Sequence, residues 1–232
     1  MLKMPFTDWP GWEEDRISEA EYAARRQNMV ALQIERRGIR DRHVIEAMRE
    51  VPRHLFVPPR FRTMAYDDSP VPIGFNQTIS QPYIVAYMLQ SLKLTGIEKV
   101  LEIGAGSGYQ AAVLSRLCEQ VYAIEIVHEL AARAEKIIRG LGIPNIQIRC
   151  SDGYLGWPEA APFDRLILAA APLQVPPNLV DQLRAGGRMI LPLGDLDQRL
   201  LFIQKTAAGK IQRRKLVPVK FVPMTGLAEK LN

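Results

Sequence analysis

The chain has 232 residues, 47% apolar and 24% charged, with a formal net charge of +5. This length fits one large domain, or one domain with an appendage, and can bury a substantial core. No apolar run approaches the ~20 residues that cross a bilayer, and two cysteines with three scattered histidines give neither a disulfide framework nor metal-ligand spacing.

The opening Met1–Asp8 lacks the apolar stretch of a signal peptide, so a cytoplasmic location is expected. Trp9 and Trp12 are expected to pack on the domain or to contact a partner. Ser18-Glu-Ala-Glu21 is a capping box that starts a helix, and Gly38 ends it in a left-handed position. Asp41 caps a second helix that stops before Pro52. Arginines concentrate here (Arg25, Arg26, Arg36, Arg37, Arg40, Arg42), a face that nucleic acid or an acidic polypeptide could use. Interleaved acids such as Glu35, Asp41, Glu46 and Glu50 favour a solvated helix surface instead. Residues 52–72 read as Pro-rich irregular chain, and Pro82 suits the first turn of the next helix. Ser80 either caps that helix or joins Thr78 and the helix N-terminus in a nest for a carboxylate.

From Lys99 strands and helices alternate. Strands are expected at 99–103, 120–125, 145–150 and 164–170, and helices at 108–118, 128–140 and near 177–184. Gly186-Gly187 reads as a turn into Arg188–Leu193, and two further strands, Leu200–Gln204 and Leu216–Val222, follow without an intervening helix. The fold class is therefore α/β: a doubly wound, mostly parallel, Rossmann-like sheet with an antiparallel addition near the C-terminus and a helical N-terminal extension. The extension is taken as residues 1–75 and the core as 76–232, one compact unit overall. Cys118 and Cys150 read as buried core thiols of a reducing compartment.

The chemistry concentrates at strand ends. Lys99–Ile103 runs straight into Gly104, Gly106 and Gly108, a strand–turn–helix junction that brings backbone N–H groups against a ligand. The spacing is G-x-G-x-G, and Glu102 precedes it. An acid there repels pyrophosphate but suits the ammonium and sulfonium of S-adenosylmethionine. Glu125, closing the next strand, can accept both hydroxyls of a ribose. Asp152-Gly153 is either an ordinary turn or an acceptor for an adenine amino group. Ala169–Ala171, past the fourth strand, either leaves room for a substrate or forms a packed crossover.

Three segments together carry a resemblance. Val51–Pro58, Asn76-Gln-Thr-Ile-Ser-Gln-Pro82 and Val100–Tyr109, with Phe221-Val-Pro-Met-Thr-Gly226 later, make the chain resemble the protein-L-isoaspartate O-methyltransferases from about Met29 to Gly226. The resemblance implies transfer of a methyl group from S-adenosylmethionine to the free α-carboxylate of an L-isoaspartyl residue, leaving S-adenosylhomocysteine. The ester then closes to succinimide, part of which reopens to normal aspartate, which starts repair of aged protein. It implies Ser80 as the hydroxyl that holds the substrate carboxylate, with Thr78, the Ile79 backbone and Ala171 in the same pocket. For the cofactor it implies Gly104 and Gly106 beside the methionine portion, Glu125 on ribose, Asp152 and Gly153 on adenine, and Thr225 closing the site. Isoaspartyl peptides and proteins are the implied partners, with no nucleic acid, membrane or metal involved, and the chain is expected to be a monomer. A carboxylate nucleophile with a reference pKa of ~3.9 is ionised at neutral pH and needs no general base. The rival readings are a methyltransferase acting on RNA or a small molecule, and a nonenzymatic nucleoside- or protein-binding module.

Overall fold

The computed structural model describes residues 17–230, so Trp9 and Trp12 lie outside the described residues. Ser18 Oγ accepts the Glu21 N–H at 3.2 Å and opens α1 (Glu19–Met29). The helical path continues through a π-helical turn, Val30–Ile34, and a 3-10 turn, Glu35–Arg37, and stops at Gly38 with φ +94°. Asp41 Oδ1 accepts the His43 and Val44 N–H groups and caps α2 (Arg42–Glu50). The expected starts and stops of both helices hold.

Residues 53–79 are more ordered than their prolines suggest. Two 3-10 segments, Arg53–Phe56 and Pro59–Met64, lead into an antiparallel hairpin of β1 (Val71–Gly74) and β2 (Gln77–Ile79). Its turn holds Phe75 and Asn76 at φ +53° and +55°, a conformation few non-glycine residues adopt. Next comes α3 (Pro82–Leu92), with Pro82 in its first turn. Gln81 holds the N-cap position and makes no capping bond through its side chain. The helix therefore does not use the Ser80 hydroxyl as its cap.

The main sheet contains β3 (Lys99–Ile103), β4 (Gln120–Glu125), β5 (Ile146–Cys150), β6 (Phe163–Leu168), β7 (Leu183–Leu193), β8 (Gln198–Lys205) and β9 (Ile211–Val219). Its spatial order is β5-β4-β3-β6-β7-β8-β9. All pairings from β5 through β7 are parallel, and β7-β8 and β8-β9 are antiparallel. The chain moves outward from β3 to β5 and returns to β6 on the other side of β3. That reversal is a topological switch point, and its crevice opens at the carboxyl ends of β3 and β6. Helices α4 (Tyr109–Leu114), α5 (His128–Gly140) and α6 (Pro177–Asp181) complete the crossovers, and α7 (Leu227–Lys230) ends the described chain.

Strand residues alternate between two cores, as period-2 geometry requires. Val100, Ile167 and Ile190 point to the face shared with α1–α5. Leu101, Ile103, Leu166, Leu168, Met189 and Leu191 point to the face with Trp157, Phe163, Leu179 and Met224. Each fully buried Leu or Ile stabilises the fold by about 1.5–3 kcal/mol before conformational entropy opposes it.

Three sequence expectations are corrected. Gly186 and Gly187 lie inside β7 rather than in a turn before it. α4 ends at Leu114, four residues short of the expected 118. Cys118 is buried as expected, but Cys150 is exposed, because it ends the edge strand β5.

Candidate active site

A cleft opens at the switch point. Thr78, Ile79 and Ser80 line one side, while Gly104, Gly106, Glu125, Gly153 and Thr225 line the rest. Two segments that are 24 residues or more apart in sequence thus face one space.

The glycine turn is tied to β4. Ile124 O accepts the N–H groups of Gly104 at 2.8 Å and Ala105 at 3.0 Å. Glu125 Oε2 accepts the Gly106 N–H at 2.7 Å, and Oε1 accepts the Val127 N–H at 2.9 Å. This corrects one expectation: the N–H groups at 104–106 are already paired and cannot serve a ligand. The turn offers close approach instead, with Gly104 at φ +84° and Gly106 at φ +54°. Each Glu125 oxygen keeps a further lone pair for a sugar hydroxyl.

Glu102 is the carboxyl of the cleft whose charge state a ligand would set. It is fully buried and lines the cavity. Gln110 Nε2 donates to its Oε1 at 2.9 Å, and its Oε2 has no hydrogen-bond partner. Burial, reinforced by the neighbouring Glu125 carboxylate, pushes its pKa up to about 8 against the opposing Gln110 bond. An orphaned buried carboxylate oxygen calls for a cation. The ammonium and sulfonium of S-adenosylmethionine fit this demand, and a pyrophosphate does not.

Asp152 and Ala171 stand differently from expectation. Asp152 Oδ1 accepts the Tyr154 N–H at 2.9 Å and Oδ2 accepts the Leu227 N–H at 2.7 Å. Its carboxylate clasps the C-terminal segment, and Gly153 is the residue of that pair lining the cleft. Ala171 is buried, donates to Val222 O and accepts from the Met224 N–H, both at 2.8 Å. It is a strut under the 222–225 strap, and Ala169 and Ala170 line the cleft in its place. The packed-crossover alternative is therefore the better description of Ala171.

Sequence reasoning also missed Tyr109, Gln110, Ile126 and Met224 on the cavity wall. Tyr109 and Gln110 follow the glycine turn directly, so a reading of that turn as a cradle could have included them. Met224 could be found only through the Phe221–Gly226 motif.

Gly153 is a position of close approach. A Cβ there would collide with Ile103 Cγ2, on a buried strand side chain that itself lines the cleft. Gly153→Ala is expected to weaken S-adenosylhomocysteine binding by roughly tenfold and to cost about 1–3 kcal/mol of stability through overpacking. Calorimetry and urea titration measure both, and a variant with native values in each would show that the wall yields.

The sheet order, the glycine turn and the acid ending β4 define a Rossmann-like, S-adenosylmethionine-dependent methyltransferase. Comparison with known proteins narrows this. The profile of the Protein-L-isoaspartate(D-aspartate) O-methyltransferase (PCMT) family matches residues 24–229. The chain belongs to that family. It is 51% identical over 211 residues to the protein-L-isoaspartate O-methyltransferase of Synechococcus sp. (strain JA-2-3B'a(2-13)), covering 88% of this chain and 86% of the relative. Identity to the Gloeobacter violaceus enzyme of the same name is 50%, covering 85% of this chain and 97% of the relative. A solved protein-L-isoaspartate O-methyltransferase structure superposes with a TM-score of 0.77 at 28% identity, over 87% of this chain and 66% of that one. A Plasmodium falciparum chain described as a protein-L-isoaspartate O-methyltransferase, in complex with S-adenosyl-L-homocysteine, gives a TM-score of 0.73 at 27% identity, over 86% and 98%.

Proposed function

We propose that this cleft holds S-adenosylmethionine over the β3 and β4 ends and an isoaspartyl side chain against Thr78–Ser80, and that the enzyme methylates the free α-carboxylate of that residue. The observation that carries this reading is the shared cavity, in which the hydroxyl-bearing loop and the cofactor turn line one space. When bound, the cofactor supplies the methyl group and a neutral thioether leaving group. The chain's own residues then position and shield. Glu102 neutralises the ligand's positive charge, Glu125 holds ribose, and Gly104 and Gly106 admit the methionine portion. Gly153 lies beside adenine, Asp152 holds the C-terminal segment through the Leu227 N–H, and Thr225 closes the strap. Ser80 and Thr78 hold the substrate carboxylate, with the Ile79 backbone beside them. That carboxylate is ionised at neutral pH, so the transfer needs positioning rather than a histidine base.

The helical extension to residue 75 is proposed to pack on the 76–232 core as one compact unit, a reading supported by the hairpin β1–β2, which spans residue 75. We also propose a cytoplasmic monomer that does not bind nucleic acid. The arginine run is partly neutralised by pairs such as Arg37–Asp68 and Arg49–Glu35. Among the described residues no helix is long and apolar enough to cross a membrane.

The test is methyl incorporation into matched peptides carrying isoaspartate or ordinary aspartate. Turnover is expected with the isoaspartyl peptide alone. Ser80→Ala should lower kcat/KM about 10- to 100-fold, the scale of a lost hydrogen bond to a charged group, while S-adenosylhomocysteine affinity stays within about twofold. Equal turnover of both peptides would refute the substrate assignment. Unchanged kcat/KM in the folded variant would remove Ser80 from the site.

A further inference from the structure

Arg53 is a fully buried arginine with no carboxylate paired to it among the described residues. It begins the 3-10 turn Arg53–Phe56 and reaches into the junction between β2 and α3. Its Nε donates to the Ala65 carbonyl at 2.6 Å, and its Nη2 donates to the Ser80 carbonyl at 2.8 Å. The guanidinium carbon lies 4.8 Å from the centroid of the Tyr109 ring, and Tyr109 itself lines the cleft. Burial lowers the Arg53 pKa to about 10, so it remains charged at neutral pH.

A buried guanidinium without an anion is costly to fold, and a hydrophobic residue of similar volume would avoid that cost. Two backbone carbonyls and an aromatic face offset part of it but leave the net charge in place. The gripped carbonyl belongs to Ser80, the residue assigned to the substrate carboxylate. The charge therefore sits directly behind the place where an anion arrives, in a region where low polarisability strengthens its reach.

We propose that Arg53 is a positioning residue for the isoaspartyl carboxylate: it locks the Ser80 main chain and supplies the positive charge behind the Thr78–Ser80 cradle. This rests on the assignment of Ser80 to the substrate carboxylate. Arginine suits the task better than lysine because its fork reaches Ala65 and Ser80 together, whereas a lysine is a single point of charge. Arg53 is not a catalytic residue, since it reaches the substrate only through the Ser80 backbone and its field.

The test compares Arg53→Met, Arg53→Lys, Ser80→Ala and the unaltered enzyme, each with an isoaspartyl peptide for kcat and KM and with S-adenosylhomocysteine for Kd. Arg53→Met is expected to raise peptide KM at least tenfold with Kd within about twofold, and Arg53→Lys to fall between it and the unaltered enzyme. Combining Arg53→Met with Ser80→Ala should cost less than the product of the single effects, because both act on one contact. Three results overturn the proposal: an unchanged KM in folded Arg53→Met, fully multiplicative effects in the double variant, or a parallel loss of KM and Kd with lysine no better than methionine. If Arg53→Met does not fold, Arg53→Lys decides, since a raised KM at native Kd supports the proposal and a native KM overturns it. Failure of the unaltered enzyme to methylate the peptide would refute the substrate reading itself, a result distinct from any of these.

Discussion

Replacing Glu102 with glutamine is expected to stabilise the ligand-free protein at pH 7 and to weaken cofactor binding roughly 10- to 100-fold. The two effects share one cause. The side chain is fully buried, its Oε2 lacks a partner, and its pKa rises from 4.5 to about 8. In the unfolded chain the group ionises near its ordinary value. Between that value and about 8, the unfolded chain has released a proton that the folded protein keeps. Stability therefore falls as pH rises through this window. At pH 7 the loss is of the order of 3 kcal/mol, since each pH unit crossed inside the window removes about 1.4 kcal/mol. Glutamine carries no charge and escapes most of it. A cationic ligand reverses the balance by pulling the carboxylate into its ionised form, worth about 1.5–3 kcal/mol as a hydrogen bond to a charged group. Binding at pH 7 should then release close to one proton, read as a dependence of calorimetric heat on the buffer's ionisation enthalpy. The dependence should vanish in Glu102→Gln. A buffer-independent heat in the unaltered enzyme would show that Glu102 is not the group that meets the cation.

That role for Glu102 was half legible in the sequence. Its charge argued against pyrophosphate from its place before Gly104, but its orphaned oxygen depends on which side of β3 faces the cleft. The strands themselves were more legible. β3, β4 and α5 begin and end where apolar runs meet Gly, Glu and Val-His boundaries, so local composition alone marks them. β7 was obscured because a glycine pair signals either a turn or a bulge. Here it is a bulge: pairing with β6 skips from Leu183 to Arg188, and a Cβ on Gly187 would crowd the Leu183 side chain and the Arg184 carbonyl. The β1–β2 hairpin was obscured by its prolines and by a turn of Phe75 and Asn76 where glycine is the usual signal. β9 begins five residues early because its exposed Gln212–Lys215 stretch is polar, which an edge strand tolerates. At the site, Gly104, Gly106, Glu125 and Gly153 reach the cleft because a parallel sheet collects such residues at its strand ends, while Thr78–Ser80 reaches it from the β1–β2 hairpin and Thr225 from the strap after β9. The pairing of the turn's N–H groups with β4 was not legible, because it depends on a neighbour 19 or 20 residues away.

Glu125→Ala is expected to combine two losses that a single affinity measurement would confuse. The carboxylate joins the glycine turn to the β4–α5 junction through Gly106 and Val127, and both N–H groups lose their partner in the alanine variant. Gly106 and Val127 are half-buried, so each lost bond should cost less than the about 1–3 kcal/mol of a fully buried donor, and stability should fall by about 1–3 kcal/mol in urea titration. Affinity for S-adenosylhomocysteine should fall by roughly two orders of magnitude, partly because the turn relaxes and partly because ribose loses its acceptor. Analogues lacking the ribose 2′- or 3′-hydroxyl separate the parts. The unaltered enzyme should bind them about tenfold more weakly than the parent ligand, and the alanine variant should bind parent and analogue alike. Glutamine at 125 keeps one acceptor oxygen, so it should fall between the two in stability while recovering one hydroxyl's worth of discrimination. If the deoxy penalty persists undiminished in Glu125→Ala, the ribose is held by another group and Glu125 acts on the main chain alone.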